Sequence, residues 1–157
     1  LKWFAPILSF TTEEIFRILN KDQNSSIHLA TFPTVPSKWK NEKLFQKWDK
    51  LKMVRNVVNA AIEVKRSSKE IGSSLEADIR VYLGKEYLEH SKNVNLSEYT
   101  ITSKAKAEPM INNDKLFKLD SVKNVKVLVK KAKGEKCPRC WKILETPCER
   151  KKCGLKN

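Results

Sequence analysis

Four cysteines are the residues of this 157-residue sequence whose types and spacing most clearly indicate chemistry. They lie close together near the end of the chain, as Cys137, Cys140, Cys148 and Cys153. The first pair has the C-x2-C spacing with which two thiolates bind one tetrahedral zinc ion from a tight turn, and the C-x4-C spacing of the second pair is also tolerated. Four thiolates on one metal ion leave no open coordination position, so the spacing predicts one structural Zn²⁺ rather than a catalytic one.

Two alternatives to a zinc site remain open for these cysteines. One is a set of disulfides, which the reducing cytosol disfavours, and the other is a set of unliganded thiols. No apolar run approaches the roughly 20 residues that a membrane span needs, and no signal peptide is visible. We therefore expect a cytoplasmic protein with no membrane partner.

Positive charge is concentrated around the same cysteines. Lys and Arg number 32 against 18 Asp and Glu, which gives a formal net charge of +14. In residues 122–157, twelve Lys and Arg stand against three Glu, so this end carries +9 of the total. A run of lysines is often only a solvated surface, but an excess of one sign favours a polyanionic partner. The charge predicts that the C-terminal part binds nucleic acid.

The predicted nucleic-acid contacts surround the cysteines and the end of a long predicted helix. Trp141 can stack on an unpaired base or cover the zinc site, and the sequence leaves both interpretations open. For Arg66 and Lys69, contact with phosphate competes with simple turn chemistry. The candidate RNA-binding residues are Arg66, Lys69, Arg139, Trp141, Lys142, Arg150, Lys151 and Lys152.

The long helix and the strand after it, within residues 48–83, are the elements around which the chain is organised. Apolar residues cover more than half of the helix circumference, and polar residues recur on one narrow face. Gly72 is expected to supply the left-handed turn that lets the chain reverse. The next residues alternate as a half-buried strand does, with Ile79 and Val81 on the apolar side.

The remaining elements are shorter. A helix is predicted over 11–20, with Thr11 as its cap and Glu14 as the partner in a capping box. Beyond the first strand, the pattern predicts a short helix over 85–93 and strands over 99–107 and 122–132. With short connections these strands are expected to pair mainly antiparallel.

The predicted fold class is α+β, with an N-terminal helical bundle, a small antiparallel-sheet module and a C-terminal zinc knuckle. The predicted domains are residues 1–70, 71–132 and 133–157. The chain begins at Leu1 within an amphipathic pattern, so we expect it to be part of a longer protein.

The chain resembles the C-terminal region of bacterial isoleucyl-tRNA synthetases, which are class I enzymes. Four stretches carry the resemblance in the same order: WFAPILSFTTEEIF, SIHLATFP, VRNVVNAAIEVKRSSKEIGSSLEADIRVYL and GEKCPRCWK. FAPILSFTTEE is also similar to valyl and leucyl relatives, but CPRCW after KEIGSSLEA indicates the isoleucine enzyme. The resemblance covers almost the whole chain.

This resemblance implies a helical anticodon-binding domain followed by a small zinc-bearing domain that grips the anticodon end of an isoleucine-specific tRNA. The parent enzyme attaches isoleucine to its tRNA with ATP. Its Rossmann catalytic domain, where ATP and Mg²⁺ bind, and its editing domain would lie upstream of Leu1. The fragment alone is expected to be a non-catalytic monomer that works with those domains.

One motif departs from the family pattern. The second cysteine pair is CERKKC, whereas the family usually has a longer insert followed by C-x2-C, so the fourth zinc ligand stays open. A second hypothesis is a free-standing zinc-knuckle protein that binds nucleic acid and has no enzymatic activity.

Overall fold

A computed structural model describes residues 1–20, 22 and 24–148 of the chain. The chain divides into two compact units, Leu1–Asn41 and Glu42–Asn157, and each is described by itself. In the described part, no helix is both long enough and apolar enough to cross a membrane.

The first unit contains one α-helix, α1 (Ser9–Leu19), and two short 3-10 turns, Ile27–Leu29 and Ser37–Trp39. The predicted helix is confirmed, but the capping box is wrong because the helix already begins at Ser9. No side chain caps its first turn. The hydroxyl of Thr12 instead donates to the carbonyl of Leu8 at 2.8 Å, inside the helix.

Glu13 ties α1 to the first 3-10 turn. Its carboxylate accepts hydrogen bonds from Nε of Arg17 at 2.8 Å, Oγ of Ser26 at 2.9 Å and the backbone N–H of Ile27 at 3.0 Å. The bond from Arg17 is the largest cause that holds the pKa of Glu13 below its usual value, followed by the bond from Ser26. Much of the apolar surface of the unit is exposed, including Phe10 at 93% and Ile18 at 78%. The bonds from Ser26 and Ile27 to Glu13 therefore connect the two elements of a unit that buries little apolar surface.

The second unit is organised on a 26-residue helix, α2 (Glu42–Ser67), which starts six residues before the predicted Trp48. It packs on a β-sheet and on the short helix α3 (Lys85–Ser91). The predicted apolar surface is mostly confirmed, although Val64 is 53% exposed. The buried residues of α2 are Leu51, Val54, Val57, Val58, Ala61 and Ile62.

The end of α2 uses a different residue from the one predicted. Lys69, with φ 59°, takes the left-handed conformation, and Gly72 does not. The N–H of Glu70 donates to the carbonyl of Lys65 at 3.1 Å, and the N–H of Lys69 donates to that of Arg66 at 2.9 Å. This pair of bonds is the Schellman arrangement, which satisfies the last carbonyls of a helix.

The sheet has four strands in the order β2-β1-β4-β3. The strands are β1 (Ala77–Leu83), β2 (Lys104–Pro109), β3 (Phe117–Leu119) and β4 (Val122–Lys131). β4 pairs antiparallel with both β1 and β3, whereas β1 and β2 run parallel. The α+β class is confirmed, and the pairing is mainly antiparallel as predicted, with β1–β2 as the parallel exception.

The parallel pair follows from what lies between β1 and β2. The short helix predicted over 85–93 is confirmed as α3. Residues 99–107 were expected to form a strand, but β2 begins only at Lys104, and Tyr99 ends a further short helix, α4 (Leu96–Tyr99). Two helices therefore lie between β1 and β2. A crossover of this length can return the chain to the starting edge of β1, which a short turn cannot do. The predicted strands at residues 77–83 and 122–131 are confirmed.

The core lies between α2 and one face of the sheet. Alternate residues of β1 and β4 point at α2, and most of them are at most 1% exposed. Burial of this apolar surface is the main source of stability for the unit. The strand residues of the core are Ile79, Val81, Leu83, Val125, Val127 and Val129.

A small hairpin follows the sheet and carries the cysteines. Its strands are β5 (Glu135–Lys136) and β6 (Ile143–Leu144), and we call residues 135–148 the cysteine hairpin. Gly134 precedes it with φ +119°, and a side chain there would collide with the carbonyl of Leu144. Glycine is therefore required at this close approach.

Candidate metal centre and nucleic-acid interface

The first cysteine pair sits in a tight turn between β5 and β6. The N–H of Cys137 donates to the carbonyl of Lys142 at 2.9 Å, and the carbonyl of Cys137 accepts from the N–H of Trp141 at 3.0 Å. These two bonds close the loop around Cys140. The C-x2-C spacing therefore brings both thiols to one side of the hairpin, as predicted.

Cys148 joins this pair to make a three-sulfur cluster. The Sγ atoms of Cys137, Cys140 and Cys148 all lie within 4.8 Å of one another. The distance from Sγ of Cys140 to Sγ of Cys148 is 3.8 Å, much longer than the roughly 2.05 Å of a disulfide. Thiolates bound to one tetrahedral zinc at about 2.3 Å stand about 3.8 Å apart. The cluster therefore fits a metal ion.

The fourth predicted ligand cannot be placed in the same way. Cys153 lies outside the described residues, as do the predicted RNA contacts Arg150, Lys151 and Lys152. The three described cysteines differ in exposure, since Cys137 is buried and the other two are half-buried. A buried first sulfur with two more accessible ones is compatible with a closed site at the hairpin surface.

Trp141 adopts a backbone conformation that tryptophan rarely takes. Its φ of 63° lies in the left-handed region, which costs a non-glycine residue on the order of 1 kcal/mol. The indole is 60% exposed, and Nζ of Lys136 lies 5.4 Å from its ring centroid. The ring is therefore mostly open to solvent.

Polar contacts dock the cysteine hairpin on the sheet. Oγ of Ser103 accepts from the N–H of Ile143 at 2.6 Å and donates to the carbonyl of Leu75. Nζ of Lys142 donates to Oγ of Ser97 at 3.3 Å. Lys142 is thus engaged with the protein. Ser103, which is 5% exposed, is a positioning residue that no sequence pattern indicated.

The other described candidates lie in two different places. Arg139 is exposed in the cysteine hairpin, whereas Arg66 and Lys69 are exposed at the end of α2. Arg66 forms an ion pair with Glu63 at 2.7 Å. Next to Lys69, the pKa of the Glu70 carboxyl is held below its usual value, first by the hydrogen bond from Lys65 and then by that from Ser68.

The helical segment, the basic sheet module and the thiolate cluster together are features of an RNA-recognition module. Residues 1–83 match the family described as "Anticodon-binding domain of tRNA ligase". This match covers more than half of the chain, so the chain belongs to the family of anticodon-binding domains of tRNA ligases.

The similar full-length proteins are isoleucine–tRNA ligases, which confirms the resemblance found in the sequence. The chain is 50% identical over 150 residues to the isoleucine–tRNA ligase of Pelagibacter ubique, which covers 96% of the chain and 15% of that ligase. It is 40% identical over 150 residues to that of Rhodopseudomonas palustris and 42% identical over 147 residues to that of Bradyrhizobium diazoefficiens, with 93% of the chain covered in both. The chain spans about 15% of the length of these relatives.

Proposed function

We propose that the chain is the tRNA-recognition region of an isoleucine–tRNA ligase and binds the anticodon end of the isoleucine-specific tRNA. The observation that carries the proposal is the 150-residue match, which extends from the anticodon-binding segment through the sheet module. The net charge of +14 supplies long-range attraction to RNA phosphates. The parent ligase would act in the cytoplasm as a monomer, with ATP and Mg²⁺ bound in its catalytic domain.

The cysteine hairpin is proposed to hold one structural Zn²⁺. Cys137, Cys140 and Cys148 supply three thiolates with suitable spacing, and Cys153 is the proposed fourth ligand. A bound zinc fixes the hairpin, which has strands of only two residues and little apolar burial. Four thiolates and one Zn²⁺ carry a net −2, so the C-terminal charge falls from +9 to about +7 and still attracts RNA.

The RNA contacts are proposed to divide into two kinds. Trp141 would stack on an unpaired anticodon-loop base, because its ring is exposed and lies next to Lys136. The basic side chains would contact phosphate, which positions the RNA without reading its sequence. These are Arg139, Lys142, Arg150, Lys151, Lys152, Arg66 and Lys69.

Replacement of one thiolate tests the proposal. We expect Cys140→Ser to lower bound zinc to well below one equivalent and to weaken tRNA binding, because the basic side chains lose their arrangement. The residual binding should stay salt-sensitive because the charges are unchanged. Metal content by atomic emission and tRNA titrations at several salt concentrations measure both effects.

Arg139→Ala is the companion variant. It should keep the zinc and flatten the slope of log affinity against log salt by about one unit if it removes one phosphate contact. A Cys140→Ser protein with full affinity for isoleucine tRNA would show that the cysteine hairpin does not organise the RNA surface.

A further inference from the structure

A polar cleft lies beside α2, and its lining residues are remote in sequence from the three-cysteine cluster. Its volume is about 470 Å³, and it is bounded by the polar side of α2 and by the segments 72–74 and 100–101. Two guanidinium groups and several neutral polar side chains line it. Its lining includes Arg55, Asn59, Glu63, Arg66, Ser73, Ser74 and Ile101. We call it the Arg55 cleft.

Arg55 is held in place by aromatic rings. Its guanidinium carbon lies 5.3 Å from the ring centroid of Tyr99, and that ring lies 5.3 Å from the ring of Trp48. Trp48 and Arg55 are two turns apart on α2, so both face the same side and Tyr99 of α4 contacts both. A cation held over an aromatic face stays charged but is less mobile. A ligand that binds it therefore has a smaller entropy cost for ordering the side chain.

The chain itself does not complete the hydrogen bonds of Arg55. Its Nε is buried, and no acceptor among the described residues reaches it. None of the ion pairs found in the described part of the chain involves this guanidinium. A buried donor without an acceptor is costly, and a guanidinium presents five donors in a fixed fork. Because Arg55 also lines the cleft, an anion bound there can contact the accessible part of its guanidinium.

The second guanidinium is available by exchange. Arg66 pairs with Glu63 at 2.7 Å, but the two side chains are 48% and 62% exposed, so the pair contributes little to stability. Arg66 can leave Glu63 for a ligand with a denser negative charge. Glu63 also lines the cleft, where its carboxylate competes with any anion.

Neutral donors complete the lining. Ser73 stands at the N-terminal cap of a 3-10 turn, but its side chain makes no capping hydrogen bond there. Asn59 and Ser74 add an amide and a second hydroxyl. Across the cleft, Ile101 is 51% exposed with φ 54°, a conformation that a β-branched residue rarely adopts. Its neighbours Thr100 and Thr102 are buried and lie with their hydroxyls 3.1 Å apart, which fixes this strained position.

We propose that the Arg55 cleft binds a phosphodiester group of the tRNA backbone. Arg55 supplies the fixed guanidinium, for which a phosphate is a bidentate partner. Arg66 adds a second contact when it releases Glu63, and the hydroxyls of Ser73 and Ser74 donate to the remaining oxygens. The inference rests on the proposed function, which identifies the partner as tRNA. It adds an RNA contact that is remote in sequence from the cysteine hairpin.

Salt-dependent binding of isoleucine tRNA to the 157-residue chain tests the cleft. Arg55→Gln should weaken binding about tenfold and flatten the slope of log affinity against log salt by about 0.7 to 0.9. Arg17→Gln is the matched control because it removes the same charge from an exposed arginine that is paired with Glu13. The control should change affinity less than threefold or so, as a purely long-range charge does.

A variant that should strengthen tRNA binding sharpens the test. Glu63→Gln frees Arg66 and removes the competing carboxylate, so binding should tighten several-fold. Glu86→Gln is its control, since it removes the same charge from an exposed ion pair with Lys50 outside the cleft. Arg55→Lys should keep the stem and the charge but lose the fork, with affinity between those of the wild type and Arg55→Gln. If Arg55→Gln fails to fold, judged by its thermal unfolding, these other variants decide.

The outcomes separate this inference from the proposed function. Failure of the wild-type chain to bind tRNA overturns the proposed function and this contact with it. Wild-type binding, with Arg55→Gln and Arg17→Gln equal in affinity and slope, overturns the cleft alone. Titration with inorganic phosphate tests whether the cleft binds a free phosphate ion instead of the RNA backbone. If phosphate shifts the NMR signal of Arg55 Nε–H and tRNA does not, the cleft is an ion site and the RNA contact is wrong.

Discussion

The core between α2 and the sheet and the cysteine hairpin are stabilised in different ways, although they belong to one unit. In the core, side chains such as Val57, Ile79 and Val81 are 0% exposed. In the cysteine hairpin, Cys137 is the one residue classed as buried among residues 135–148, and each strand has two residues. Apolar burial is sufficient for the first region. The second needs bonds to a metal ion and polar docking contacts to keep its shape.

This difference places rigidity and chemistry in separate parts of the unit. The core fixes the positions of α2 and β2. Arg55 lies on α2, and the docking residue Ser103 immediately precedes β2. The hairpin presents Trp141 and Arg139 on a turn whose order depends on the thiolates. Perturbing one region should therefore leave the other largely intact.

The largest expected effect is that of removing the proposed metal. Structural zinc contributes on the order of 10 kcal/mol of apparent binding free energy to small thiolate units, so chelation should unfold the hairpin. The amide hydrogens of Cys137 and Trp141 should lose their protection from exchange, while those of Val81 and Val127 keep theirs. Hydrogen exchange with and without a strong zinc chelator measures this. Simultaneous loss of protection in both places would mean that the metal supports the core as well.

A smaller effect is expected from a cavity in the core. Leu83 is 1% exposed, and Leu83→Ala should lower the free energy of unfolding by about 3 kcal/mol. Zinc content should stay near one equivalent, provided that the protein remains folded under the assay conditions. Leu44→Ala, at a position 49% exposed on α2, is the control and should cost less than about 1 kcal/mol. Urea unfolding measures both variants, and equal losses would contradict the assignment of the core.

The smallest effect concerns the link between the two regions. Ser103→Ala removes the acceptor of the Ile143 N–H and the donor to the Leu75 carbonyl, which should cost about 1 to 2 kcal/mol. The Ile143 amide should exchange faster while zinc stays bound. Ser67→Ala is the control, because it removes a hydroxyl from an exposed position at the end of α2, away from these docking contacts. An unchanged exchange rate at Ile143 would show that the hairpin docks by other contacts.

Local sequence patterns predicted several elements correctly. Alternating valines identified β4, and the apolar periodicity of residues 51–62 identified the inner face of α2. The C-x2-C spacing placed the first two thiols together, and the cluster also includes Cys148 as predicted. Each of these signals comes from residues within one helix, one strand or one turn, where geometry follows directly from spacing.

Other predictions missed details that the local pattern did not distinguish. Gly72 was the expected left-handed residue, but Lys69 takes that conformation and closes the helix. The strand predicted over 99–107 begins only at Lys104, and Tyr99 ends the helix α4. That helix, with α3, allows β2 to run parallel to β1, and no pattern inside β2 reveals this direction.

The sequence by itself therefore determined the long helix α2, the strands β1 and β4, the location of the thiolate cluster and the sign of the net charge. Only the tertiary structure decided which distant residues meet. Tyr99 contacts Arg55 through the docking of α4 on α2, and Ser103 accepts from Ile143 through the docking of the hairpin on the sheet. The physical reason is that periodicity fixes geometry over a few residues, whereas contacts between residues about 40 apart depend on topology and on how the core packs.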